Sequence, residues 1–96
     1  MRNDIEIHWW GVQAYLDENN TQQVLSLIDS GGDTVTVLMA IDPEIRSKAA
    51  LALGAVCAKI GAKIIKVVDE NGGKHGVVLS RPWAGPVPGW VTAQTG

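Results

Sequence analysis

The stretch IRSKAALALGAVCAKIGAKIIKVV, Ile45 to Val68, carries five basic residues and no acidic one in a chain whose formal net charge is -2. Plotted at about 100° per residue it separates into three stripes. Lys48, Lys59, Lys63 and Lys66 form one, Leu53, Val56, Ile60, Ile64 and Val67 a second, and Ala50, Gly54, Ala58 and Gly61 a third. The pattern predicts a cationic amphipathic helix, the longest of the fold, over about 43–69. Its start is marked by Asp42-Pro43-Glu44: Asp accepts free amide protons, Pro has none to leave unpaired, and Glu complements the helix dipole. Asn71, Gly72 and Gly73 supply the stop. At ~1.5 Å per residue such a helix reaches ~40 Å, against ~26 Å for twice the gyration radius of a domain this size, so it must protrude, kink or break. Gly54 and Gly61 each cost about 1 kcal/mol in a helix interior, which implies a closely packed neighbour, within the domain or in a second copy. The competing reading pairs Ala62 to Val68 with Gly76 to Ser80 as a hairpin. Ile64 to Val68 does not alternate cleanly, so helix is the stronger expectation.

Toward the amino terminus, Ile5, Ile7 and Trp9 alternate with Glu6, His8 and Trp10, and the alternation resumes after Gly11 in Val12, Ala14 and Leu16. This is either one strand bulged at Gly11 or two short strands meeting there, and the bulged strand is expected. Asn20 with Gln23 has capping-box spacing and opens a short helix through Asp29 that buries Val24, Leu27 and Ile28 before Ser30-Gly31-Gly32 ends it. Asp33 can cap Thr34 to Ile41, read as helix although Thr34, Val35, Thr36 and Val37 suit a strand by propensity. Gly76 to Ser80 reads as a strand and Val91 to Ala93 as a short final one, with Pro82, Pro86 and Pro88 excluding regular structure between them. The economical arrangement is a single α+β domain over 1–96: a small antiparallel sheet from the N- and C-terminal strands, packed against two or three helices.

Several classes are disfavoured by composition. With pI near 5.5 and no basic cluster beyond the helix, a nucleic-acid partner is not expected. The longest uncharged helix run, Ala49 to Ala58, is half of the ~20 residues that cross a bilayer. Residues 1–7 include Arg2, Asp4 and Glu6 and no apolar core, so no cleaved signal peptide is expected, and both signal-less secretion and a cytoplasmic site fit. Cys57, the single cysteine, reads as a buried apolar filler.

No catalytic, cofactor-binding or metal-binding residues are expected. His8 and His75 lie in no hydrolase or zinc motif, and two imidazoles without a carboxylate or thiol make a poor metal site even if terminal strands bring them together. Asn71 to Gly76 has a phosphate loop's glycine content but not its spacing, and it follows a helix where a phosphate loop precedes one. Asp17, Asp29, Asp33, Asp42 and Asp69 sit where caps and turns want them. Four tryptophans and no phenylalanine weigh more. A tryptophan has an apolar body and a polar N–H, which suits an interface with one wet edge. The plain alternative puts Trp9 in the core and spreads Trp10 and Trp83 over the outer sheet face.

Trp9-Trp10-Gly11, then Leu16, an Ala/Gly-rich helix, Gly76-Val77-Val78 and Trp83 resemble a loose group of small uncharacterised bacterial proteins with a Trp-Trp-Gly start, some of them bacteriocin-like. The cationic helix is similar in composition to those of leaderless and circular bacteriocins, while the polar amino-terminal half departs from those hydrophobic peptides. The resemblance implies a bacterial origin and a role between competing cells, without catalytic residues. The expected function is therefore non-enzymatic and antimicrobial. Lys48, Lys59, Lys63 and Lys66 would attract an anionic membrane or envelope protein, Trp10, Trp83 and Trp90 would anchor at the interface, and Ala50, Gly54, Ala58 and Gly61 would pack helices. The alternative is a soluble protein-interaction or homo-oligomerising module without membrane activity.

Overall fold

Alternating residues in four short segments build one antiparallel sheet, β1 (Asp4–Ile7), β2 (Gly11–Leu16), β3 (Val77–Pro82) and β4 (Trp90–Ala93), in the order β1-β2-β3-β4. The computed structural model describes residues 2–45, 47–85 and 89–94; Arg46, Pro86 and Pro88, read above as a helix cation and loop prolines, lie outside the described residues. Register places Ile5 opposite Ala14, Ala14 opposite Leu79 and Leu79 opposite Val91, so one apolar row crosses all four strands on the helix side. The next row, Glu6, Gln13, Ser80 and Trp90, faces the other way and meets no helix.

Between β2 and β3 run α1 (Glu18–Ser30), α2 (Val35–Ile41), α3 (Ser47–Ile60) and α4 (Ala62–Asn71), all on the apolar side of the sheet. Val12, Ala14, Leu16, Val77 and Leu79 meet Val24, Leu38, Leu53, Val56, Cys57 and Ile65 in a single core. Burying a side chain such as Leu53 contributes about 1.5–3 kcal/mol. The expected α+β architecture, with both chain ends supplying strands to a helix-covered sheet, is the one observed.

Four details differ from the sequence reading. Among the described residues the helices number four, because the predicted 43–69 helix is two. Gly61, at φ 86 and ψ 156, stops α3 and restarts the chain as α4, a conformation essentially reserved for glycine. The domain's longest extent is 30 Å, so an unbroken ~40 Å rod would have left its apolar stripe uncovered. Residues 62–68 are helix, as expected. The start of the first half also moves: Asp42 Oδ1 accepts the Glu44 N–H at 3.1 Å within a turn, and α3 begins at Ser47.

At α1 the cap is Asp17, whose Oδ1 accepts the Asn20 N–H at 2.8 Å, three residues ahead of the predicted start. The segment 34–41 is helical in spite of its β-branched run, with Asp33 Oδ1 accepting the Val35 N–H at 3.0 Å and Val37 and Leu38 buried. Finally, the amino-terminal segment is a hairpin and not a bulged strand. His8 donates to the Gly11 carbonyl at 2.7 Å and accepts from Gly11 N–H at 3.3 Å, leaving Trp9-Trp10 as a two-residue turn. Gly11 is required there, since a Cβ would run into the Arg81 carbonyl of the adjoining strand.

Candidate functional site

The hairpin turn sets the geometry of one end of the molecule. A turn residue has no row to occupy, so Trp9 projects into solvent with 92% of its surface exposed; the expectation that it fills the core is overturned because the strand ends at Ile7. Trp10 folds back over the outer sheet face. Its ring stacks between His8, at 5.0 Å between centroids and 5° between planes, and Trp90, at 6.2 Å and 10°.

Trp83 closes the same end from the bend that follows β3. Its indole N–H donates to the His8 carbonyl at 3.0 Å and its backbone N–H to the Trp10 carbonyl at 2.8 Å, so the turn is held from both sides. Lys48, in the first turn of α3, places its ammonium 5.4 Å from the Trp83 ring centroid, in range of a cation–π attraction. Ile7, Lys48, Ala49 and Trp83 line a hollow of about 240 Å³ beside the turn. Trp9, Trp10, Trp83 and Trp90, far apart in sequence, are thus collected at one pole.

The lysines divide. Lys59 stands eleven residues beyond Lys48 on α3, a net rotation of only about 20° and a rise of ~16 Å, so both share the helix flank that begins at Trp83. Lys63 and Lys66 belong to α4, past the break, with Lys66 lining a groove against Gln22, Ser26 and Asp29 of α1. The single stripe predicted for all four does not form, since Gly61 redirects the helix axis.

The small-residue stripe divides too. Ala50 is buried, and Gly54 lets α2 approach: a Cβ there would lie 3.1 Å from Val35 Cγ2. Ala58 is exposed on a groove of about 470 Å³ shared with Ile28, Val35, Leu51 and Gly54. Gly61 packs nothing and serves as the break.

Three arrangements were not anticipated. On the bare sheet face, His8 Nε2 lies 3.0 Å from Gln13 Oε1, Tyr15 O–H donates to the same oxygen at 3.4 Å, and Gln13 Nε2 donates to Ser80 Oγ at 3.1 Å. A serine and a histidine are linked here, but through an amide that relays no proton, and Ser80 is fully buried; the network orients the face and does not activate a nucleophile. His75 lies before β3, at the opposite end of the sheet from His8, so the two imidazoles do not meet. Among the described residues no group of three or more His, Cys, Asp and Glu could hold a metal ion.

At the far pole, Gln94 staples the sheet. Its Oε1 accepts the Arg2 N–H at 2.8 Å, and its Nε2 donates to the carbonyls of Arg2 at 2.8 Å and Leu16 at 2.7 Å. Near it, Glu18 and Asp69 bring two carboxyls together, each with a buried oxygen that has no hydrogen-bond partner. Cys57 is inert packing: burial pushes its thiol up to about 11, with the Thr34 hydroxyl only partly offsetting this. Compared with known proteins, the chain matches no family model, no curated protein and no solved structure.

Proposed function

We propose that this is a non-enzymatic, bacteriocin-like binding protein that docks on an anionic membrane surface through its tryptophan pole. The observation that carries the reading is the convergence of all four tryptophans and Lys48 on one end, with Trp9 left outside the fold. A solvent-exposed indole on a braced hairpin gains nothing for the domain, yet transferring its ~200 Å² to an interface contributes up to about 5 kcal/mol. Lys48 and Lys59 on the adjoining flank add about 1 kcal/mol each near anionic lipid at moderate salt. Trp10 and Trp83 act as the brace, being occupied by His8, Trp90 and backbone carbonyls. Among the described residues no helix is long and apolar enough to cross a membrane, and the attachment proposed is at the interface.

Co-sedimentation with vesicles of phosphatidylglycerol against phosphatidylcholine tests this. Preferential binding to the anionic vesicles, lost on Trp9→Ala, is expected; equal and negligible binding to both at low salt would sink it.

A second reading, a soluble module that pairs with a protein or another copy, is favoured by β4. It is an uncharged sheet edge, Trp90-Val91-Thr92-Ala93, beside a sheet face that no helix covers, whereas β1 carries Asp4 and Glu6. Light scattering separates the two: a lipid-indifferent, stable oligomer supports this one.

A further inference from the structure

The corner where α1 begins and α4 ends holds two carboxyls that the docking pole does not use. Asp69, in the last turn of α4, is 1% exposed. Its Oδ1 accepts the Gly76 N–H at 3.1 Å and its backbone carbonyl accepts the Lys74 N–H at 2.8 Å, so the side chain is fixed in place. Asp69 Oδ2 is buried without a partner, and so is Glu18 Oε1, from the first turn of α1. A sealed carboxylate oxygen with no donor is among the most costly groups a fold can contain, and two together add repulsion. One hydrogen on one of the facing oxygens satisfies both.

We propose that Glu18 and Asp69 form a proton-binding clasp, in which the acid form of Glu18 donates its O–H to Asp69 Oδ2 and so ties the start of α1 to the end of α4. Burial first, and then the hydrogen bond and charge of Asp69, lift the Glu18 carboxyl above its ordinary value of 4.5; Gln22 on α1 and Lys74 on the α4–β3 turn pull the other way. The sign of the linkage follows. The folded chain holds the proton to a higher pH than the unfolded chain does, so the clasp's contribution is complete below pH 4.5 and is lost as pH rises through the lifted value. At its amino-terminal side α1 is therefore fastened in acid and loosened in alkali.

The test compares the wild type with Glu18→Gln and Asp69→Asn, either of which puts a permanent amide donor where the proton sits while Oδ1 still accepts from Gly76. Thermal unfolding is followed from about pH 4 to pH 9. The wild-type melting temperature is expected to fall relative to Glu18→Gln by on the order of 5 °C as the proton leaves. Carbon-13 NMR of the wild-type carboxyls, which needs no variant, is expected to show one member of the pair titrating above the ordinary carboxylate range. Parallel pH profiles for wild type and Glu18→Gln, or two ordinary titrations, would overturn the proposal. So would a saturable rise in wild-type melting temperature with Ca²⁺ or Mg²⁺ that Asp69→Asn abolishes, since the corner would then be a cation site.

Discussion

Trp9 and Gln94 show how one side chain can serve binding or folding alone. Trp9 makes no core contact, so Trp9→Ala should leave the unfolding free energy within about 0.5 kcal/mol of wild type by urea titration while removing vesicle binding. Gln94 is the reverse case. Its amide makes three hydrogen bonds that tie residues 2, 16 and 94, and Gln94→Ala should cost about 2–4 kcal/mol with vesicle binding intact in the folded fraction. Neither role is legible in sequence. A glutamine near the end of a chain has no periodic signal, and its partners are 92 and 78 residues away. Trp9 is misread for a clearer reason: the alternation Ile5, Ile7, Trp9 continues through a turn that lacks the usual Asn-Gly signature. Among the described residues Lys74 is the sole non-glycine with positive φ, so Trp9 and Trp10 turn the chain without the left-handed backbone that signature encodes.

The helices were more readable than their ends. The 3.6-residue spacing of Leu53, Val56 and Ile60 marks the stripe that α3 buries, but the stripe slips by one residue at the break: Ile64 and Val67, read as its continuation, are exposed, and α4 turns Ile65 and Val68 to the core instead. What periodicity cannot report is a change of axis, and Gly61 is the one residue that announces it. Gly61→Ala should cost about 1–3 kcal/mol by forcing a Cβ into that backbone conformation, although nothing lies within 4 Å of where the Cβ would stand. A loss in Gly61→Asn as large as that in Gly61→Ala would locate the cost in the backbone, because this ψ lies outside the left-handed region that asparagine tolerates. The strands were found because both faces differ: Val12, Ala14 and Leu16 are buried while Gln13 and Tyr15 are half-buried on the bare side. The two displaced helix starts share one origin, since Asp17, Asn20 and Asp42 are all competent caps and only packing selects among them.

Across the domain, the aromatic pole and the polar corner of Gln94, Glu18 and Asp69 lie at opposite ends of β2, joined by six residues from Gly11 to Leu16. Trp10, Trp83 and Trp90 stand out in sequence as interface candidates while Trp9 does not, and the location that all four share rests on non-local contacts that no single-chain pattern encodes. The lysines were singled out as one stripe, and the fold leaves Lys48 and Lys59 on the aromatic side of the break. Lys48→Gln and Lys59→Gln should each weaken anionic vesicle binding about five-fold at low salt, by co-sedimentation, with the effect fading as salt rises. Lys66→Gln, on the α1 side of α4, should change it much less.

Because every indole sits at one pole, the ultraviolet emission of this protein is a local instrument. Trp9 will answer to collisional quenchers and to the arrival of a lipid surface, whereas melting of the distant Glu18–Asp69 corner will pass almost unseen. Unfolding curves drawn from fluorescence and from far-ultraviolet circular dichroism should therefore separate in alkali and coincide in acid, and the gap between them is a direct gauge of how independently the two ends of the domain come apart.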